Sequence, residues 1–303
     1  MGLADVHAHL TNPKLAAREG DVLDAAARAG VTSILVNGLN PTDNQAVRAL
    51  AARSPIVKAC FGFYPVDTVL PDMDALIAEG RGNTYPRDVP ACTTDEGIAW
   101  VRDNAAEAFA IGEIGLDGYW VPKELWDKQE QAFRALVRIA LDHDKAIIIH
   151  TRRREKRALE ILDELGAKRV DWHCFGGKIN LARQIAERGH SLSIPSNARR
   201  HEGFTRILET LPRDQILLET DCPYLGPMPG EESEPACVAS TVEGERSPFF
   251  SGCQSPTSVG WVSAIDFDDV TVLQSGHAAP SPSMLRGVRW NEWPLSHRHQ
   301  AGR

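Results

Sequence analysis

Short apolar runs alternate with longer amphipathic stretches from the first residues onward. The runs lie at residues 3–9, 33–39, 57–63, 109–116, 146–150, 169–174, 191–195 and 216–221. Their length and their Val, Ile and Leu content suit buried β-strands. The stretches between them place apolar residues every three or four positions, as helices packed on a sheet do. Helices are predicted at 21–29, from about 42 to 53, and at 123–142, 156–165, 181–189 and 200–210. Gly30 supplies a stop to the first, and Thr42 or Asp43 a cap to the second. The connection between 63 and 109 is longer. It carries a helical pattern near 72–79, a loop with Gly80, Gly82, Pro86 and Pro90, and a second helix at about 95–108. Eight strands alternating with helices predict an α/β chain whose parallel sheet closes into a (β/α)8, TIM-like barrel. An open, doubly wound sheet is the competing arrangement. The barrel also fits the length used by Val242, since roughly 250 residues are typical of it.

The pattern stops near Glu243. Residues 243–303 are rich in Ser, Pro and Gly, and no helical period is sustained there. Residues 1–242 are read as the barrel, and 243–303 as an atypical, disordered low-complexity tail with no domain assigned. Residues 234–242 supply two to three turns of helix to cover the last strand.

Composition narrows the partners. The 303 residues are 43% hydrophobic, enough for a large core. A net charge of -8 argues against a protein held on nucleic acid by bulk charge, but leaves room for a local basic patch. There is no uncharged apolar run of about 18 residues and no signal-peptide pattern, so no membrane association and a cytoplasmic location are expected. The six cysteines form no C-x-x-C pair and are read as reduced thiols.

The candidate chemistry sits at strand ends. In Asp5-Val6-His7-Ala8-His9, strand alternation points His7 and His9 the same way, with Asp5 one step deeper on that face. Glu113 lies on the fourth strand, His150 ends the fifth, His173 is near the end of the sixth, and Asp221 ends the eighth. In a closed parallel barrel these positions meet at one rim, where active sites of this fold are built. Four imidazoles and two carboxylates exceed the needs of one divalent ion. They suit two, with Glu113 as the bridge. His7, His9, Glu113 and Asp221 would hold one ion; Glu113, His150 and His173 would hold the other. Asp221 and Glu113 are the catalytic candidates, Asp221 also taking the proton of the attacking water.

The motifs around these residues resemble the signatures of the TatD family: Asp5-Val6-His7-Ala8-His9, Gly112-Glu113-Ile114-Gly115-Leu116-Asp117, His173-Cys174-Phe175, and Glu219-Thr220-Asp221-Cys222-Pro223-Tyr224-Leu225. The resemblance runs to about Val242. It implies a metal-dependent hydrolase and deoxyribonuclease on a TIM-like barrel, with DNA as substrate and Mg, Mn or Zn as the two divalent metal ions, held at the six positions above. A 3'-5' exonuclease is the expected activity. Tyr64 stands where many members have a histidine, in Gly62-Phe63-Tyr64-Pro65, and can give a phosphate one hydrogen bond but no charge. Beyond Val242 the final amphipathic helix of the family is missing, which points to a changed reading frame or alternative splicing.

Arg152 follows His150 on the active-site side and can fork onto a phosphate with one neighbour from Arg153 to Arg157. Arg199 and Arg200 extend the track. Trp120 is read as a packed rim aromatic in preference to a base-stacking one, and Cys174 and Cys222 as small buried groups turned away from the centre. Two other functions compete with the nuclease: an amidohydrolase-type hydrolysis of amides, lactones or phosphotriesters, and an inactive barrel used as a binding scaffold.

Overall fold

The computed structural model describes residues 2–242, apart from 82–84, 87, 89 and 91. The expected tail, 243–303, lies outside the described residues. The described residues form eight strands: β1 Leu3–Ala8, β2 Val31–Asn37, β3 Val57–Phe61, β4 Ala110–Asp117, β5 Ala146–Arg152, β6 Val170–Trp172, β7 Ser191–Pro195 and β8 Ile216–Glu219. They form one all-parallel sheet in sequential order, as the barrel reading requires. The helices are α1 Pro13–Ala16, α2 Glu19–Arg28, α3 Pro41–Arg53, α4 Leu70–Ala78, α5 Thr94–Asn104, α6 Trp126–Asp142, α7 Glu155–Leu165, α8 Ile179–Glu187, α9 Glu202–Thr210 and α10 Val238–Val242. The cap of α3 is Asn40, whose side chain accepts from the Asp43 N–H at 3.1 Å, in place of the expected Thr42 or Asp43.

Two apolar layers follow from strand alternation. Ile34, Val36, Ile147 and Ile149 face outward into a large cluster with Val22, Val47, Phe133, Leu136, Leu159 and Leu162 of the helices. Leu35, Cys60, Ala110, Ala146 and Ile148 face inward, with Ala4 and Val6. These inner residues fill the floor of the barrel and leave the polar groups its C-terminal mouth.

The sheet closes without a regular ladder between β8 and β1. Ala8 and Cys222 form an isolated parallel bridge. The Asp221 N–H donates to the His7 carbonyl at 2.9 Å, and the His9 N–H to the Cys222 carbonyl at 3.0 Å. Below them the Asp5 carboxylate accepts from the Thr220 N–H at 2.9 Å and the Thr220 hydroxyl at 2.6 Å.

Candidate metal centre

Two irregular strands aim the donors. On β1, Asp5 pairs with Ile34 but Ala8 with Val36, so three steps on β1 span two on β2. On β4, Ile111 pairs with Ile147 but Ile114 with Ile149, again three against two. Each shift is an extra residue in one strand, the signature of a β-bulge. Strict alternation from Ala110 would turn Glu113 outward; the extra residue turns it in. On β1 the same device corrects the sequence reading. Asp5 does not share the face of His7 and His9, because the extra residue separates them in phase. Its carboxylate lies at the β8–β1 seam, where burial pushes its pKa up to about 8 against the lowering effect of the Thr220 hydrogen bonds.

The six predicted donors come together at the mouth. His7 Nε2 is 3.2 Å from His9 Nε2. Glu113 Oε2 stands 3.4 Å from His7 Nε2 and 3.5 Å from His9 Nε2, while its Oε1 is 3.1 Å from His150 Nδ1. Asp221 Oδ1 lies 3.4 Å from His9 Nε2, 3.8 Å from His7 Nε2 and 3.9 Å from His173 Nε2. The His7 and His173 rings stack at 3.5 Å between centroids. For ligand bonds of about 2.1 Å, neighbouring donors on one ion stand roughly 3.0–3.4 Å apart, so this donor set fits divalent ions. Two groups sharing Glu113 could hold one each: His7, His9 and Glu113, and Glu113, His150 and His173. A third group of matching distances joins His7 and His173 to Glu219. Glu219, however, already takes the Nδ1 side of His173 at 2.9 Å and orients that ring.

Three histidines have one nitrogen engaged and the other left facing the centre. His9 Nδ1 meets the Asn37 carbonyl at 3.0 Å, His150 Nε2 meets Asp117 Oδ2 at 3.0 Å, and His173 Nδ1 meets Glu219. Such partners fix tautomer and ring orientation for a metal-binding imidazole. Asn37, Asp117 and Glu219 are not among the residues expected from the sequence, although the last two stand inside the family-like motifs.

The buried carboxylates and imidazoles shift one another's titration. Burial acts to raise the pKa of Glu113, but hydrogen bonds from His150 and His7 outweigh it and hold the carboxyl well below the usual range. Asp221 is also lowered: burial opposes, and the charge of His173 and the hydrogen bond from His9 prevail. Burial acts to lower His150 and His173, yet the carboxylates around them push the two up to about 9 and about 10. His7, shielded by burial, is lowered.

Around this centre, Tyr64 is half-buried and meets the His150 ring edge-on at 5.0 Å. Arg152 is exposed on the rim, its guanidinium 3.7 Å from the Tyr119 ring centroid. Arg154 and Arg157 are drawn off by Glu130, so the basic track is shorter than the sequence suggested. Arg200 donates to the Pro227 carbonyl at 3.0 Å, and the Arg199 side chain lies outside what is described. Trp120 packs edge-on against Tyr85 and Tyr119, as a packed rim aromatic should. Cys222 is fully buried and Cys174 partly so.

No helix among the described residues is long and apolar enough to cross a membrane. Comparison with known proteins agrees with the fold and the motifs. In solved structures, the chain is similar to YJJV, a TatD homologue from Escherichia coli, with a TM-score of 0.65 at 20% identity, covering 90% of this chain and 95% of that one; this shows the fold. In sequence, it is 31% identical to the uncharacterized metal-dependent hydrolase YabD of Bacillus subtilis over 80% of this chain and 89% of that protein. It is 26% identical to the deoxyribonuclease TATDN3 of Homo sapiens, over 80% of this chain and 86% of that one. It is 30% identical to the 3'-5' ssDNA/RNA exonuclease TatD of Salmonella typhimurium, over 74% and 80%. A family model described as TatD related DNase matches residues 4–244, and the chain belongs to that family of metal-dependent hydrolases.

Proposed function

We propose that this hydrolase cleaves phosphodiester bonds of DNA as a 3'-5' exonuclease, with two divalent ions at the barrel mouth. The observation that carries this reading is the span of Glu113, one oxygen toward His7 and His9 and the other toward His150. His7, His9, Glu113 and Asp221 would hold one ion, and Glu113, His150 and His173 the other. Bound there, such ions lower the pKa of water and polarise a phosphoryl group. Asp221 is the proton acceptor. Its side chain is 15% exposed at the mouth against 3% for Glu113, which leaves its carboxylate the more open of the two to receive the proton of the attacking water. Arg152 holds the phosphate by its guanidinium, and Tyr64, beside His150, offers it a hydroxyl. The names of the human and Salmonella relatives support the nuclease reading.

The test is metal-stripped protein incubated with end-labelled single-stranded DNA, with Mg, Mn or Zn restored and Asp221→Asn run alongside. Mononucleotides are expected only with metal, and the substitution should slow release by about 10²–10⁴-fold. Turnover of a lactone or chromogenic ester with no nucleotide release would move the assignment to the amidohydrolase type. Near-normal release by Asp221→Asn would overturn the mechanism.

A further inference from the structure

Arginine occupies positions 152, 153, 154 and 157 behind His150, and the structure divides them into two pairs. Arg154 and Arg157 both reach Glu130, and Arg154 also lies over the Trp126 ring at 4.0 Å. Arg152 and Arg153 form no ion pair with the described residues. Both instead gather on one ring, that of Tyr119, with guanidinium carbons 3.7 and 4.6 Å from its centroid. Successive side chains of an extended strand point apart. Here Arg153 turns back with φ of 62°, its N–H held by the Glu155 carboxylate at 2.8 Å.

The residue they share is anchored through its backbone, and its ring is open. The Tyr119 N–H donates to Asp117 Oδ1 at 2.7 Å, and the same carboxylate engages His150 through Oδ2. Tyr119 is nonetheless 43% exposed. Large apolar side chains this exposed are few among the described residues, and three of the four, Tyr119, Tyr224 and Met228, stand on the loops that follow β4 and β8 at the mouth. Two guanidinium groups on one ring, neither in an ion pair with the described residues, repel each other until an anion joins them. A phenol ring and guanidinium planes together present flat π faces, on which unstacked bases lie.

We infer that Tyr119, Arg152 and Arg153 form one platform that grips a phosphate and stacks the unpaired base attached to it, selecting single strands at the entrance to the metal centre. The inference rests on the DNA reading above. A base inside a duplex is covered on both faces by its neighbours and cannot lie on such a platform without leaving the stack.

The experiment is fluorescence anisotropy of the full chain, in EDTA, with labelled oligodeoxythymidylate of about ten nucleotides or a blunt duplex, over a range of NaCl. Tyr119→Ala should weaken single-strand binding about tenfold and duplex binding far less, while Tyr119→Phe should restore it. Arg153→Gln should lower the slope of log affinity against log salt by about 0.7. Lys156→Gln removes the same charge from an exposed side chain near Glu160 and should change neither quantity. Wild-type affinity in Tyr119→Ala, equal losses on single strand and duplex, or matching slopes for Arg153→Gln and Lys156→Gln would each overturn the platform. Failure of the DNA reading looks different. Tyr119-dependent binding with no metal-dependent nucleotide release would leave the platform standing and remove the nuclease, whereas wild-type protein that binds neither DNA removes both.

Discussion

At the scale of single residues, the candidate centre is built as much by the partners of the histidines as by the histidines. His150 illustrates this: Asp117 holds its Nε2 and also receives the Tyr119 and Trp120 N–H groups, so one carboxylate sets both the ring and the loop beyond it. Asp117→Asn keeps the shape and loses the charge. It should weaken divalent-ion affinity by about 10–100-fold, read by titration calorimetry, and an unchanged Kd would deny Asp117 this role. The donors were legible in the sequence because they are strand-end residues of the right chemical type. Their partners were less so. The Asn37 carbonyl is a backbone group with no sequence signature. Asp117 and Glu219 could have been read from spacing, since Glu219 lies two strand positions before Asp221 and Asp117 ends the strand that carries Glu113.

At the scale of elements, the two register shifts are what a strict period-two reading could not see. The eight strands were found within about two residues of their ends because burial on both faces makes parallel strands continuous apolar runs. The phase within β1 and β4 was another matter, and it misplaced Asp5. Gly62 shows what the β4 shift needs from its neighbour. A Cβ on Gly62 would stand 2.2 Å from the Glu113 nitrogen and 2.4 Å from the Gly112 carbonyl carbon, both backbone atoms that cannot step aside. Gly62→Ala should therefore destabilise the protein by about 1–3 kcal/mol and displace Glu113, lowering ion affinity as well. Gly20, in α2, has open space around its Cβ position. Gly20→Ala should raise stability by up to about 1 kcal/mol and leave ion affinity alone. Urea unfolding and calorimetry of the two variants compare the sites directly; equal effects would mean that the β4 shift does not depend on Gly62.

At the scale of the whole molecule, stability is tied to a histidine that is not among the candidate donors. His190 is buried, accepts the Trp172 indole N–H at Nδ1 (3.1 Å) and sits 3.1 Å from the Ala167 carbonyl at Nε2. Only the neutral ring, protonated at Nε2, serves both partners. Burial lowers its pKa from 6.5 to about 4. Between those values the unfolded chain binds the proton and the folded chain does not, so stability is full above 6.5 and is lost as pH falls toward 4. The loss amounts to about 3 kcal/mol. Urea unfolding of His190→Gln should show a flatter pH dependence across that window, and parallel curves would reject the assignment.

The seam between β8 and β1 carries a consequence of another kind. It joins Asp5 to Thr220 and His7 to Asp221, the two ends of the barrel sequence. During synthesis, five of the six candidate donors leave the ribosome before Asp221, yet nothing holds β1 against its last neighbour until 216–222 arrive. Contacts of such separation carry a large loop-closure entropy cost. The candidate centre thus lacks a donor until Asp221 has emerged, and a polypeptide ended before that residue carries an incomplete donor set.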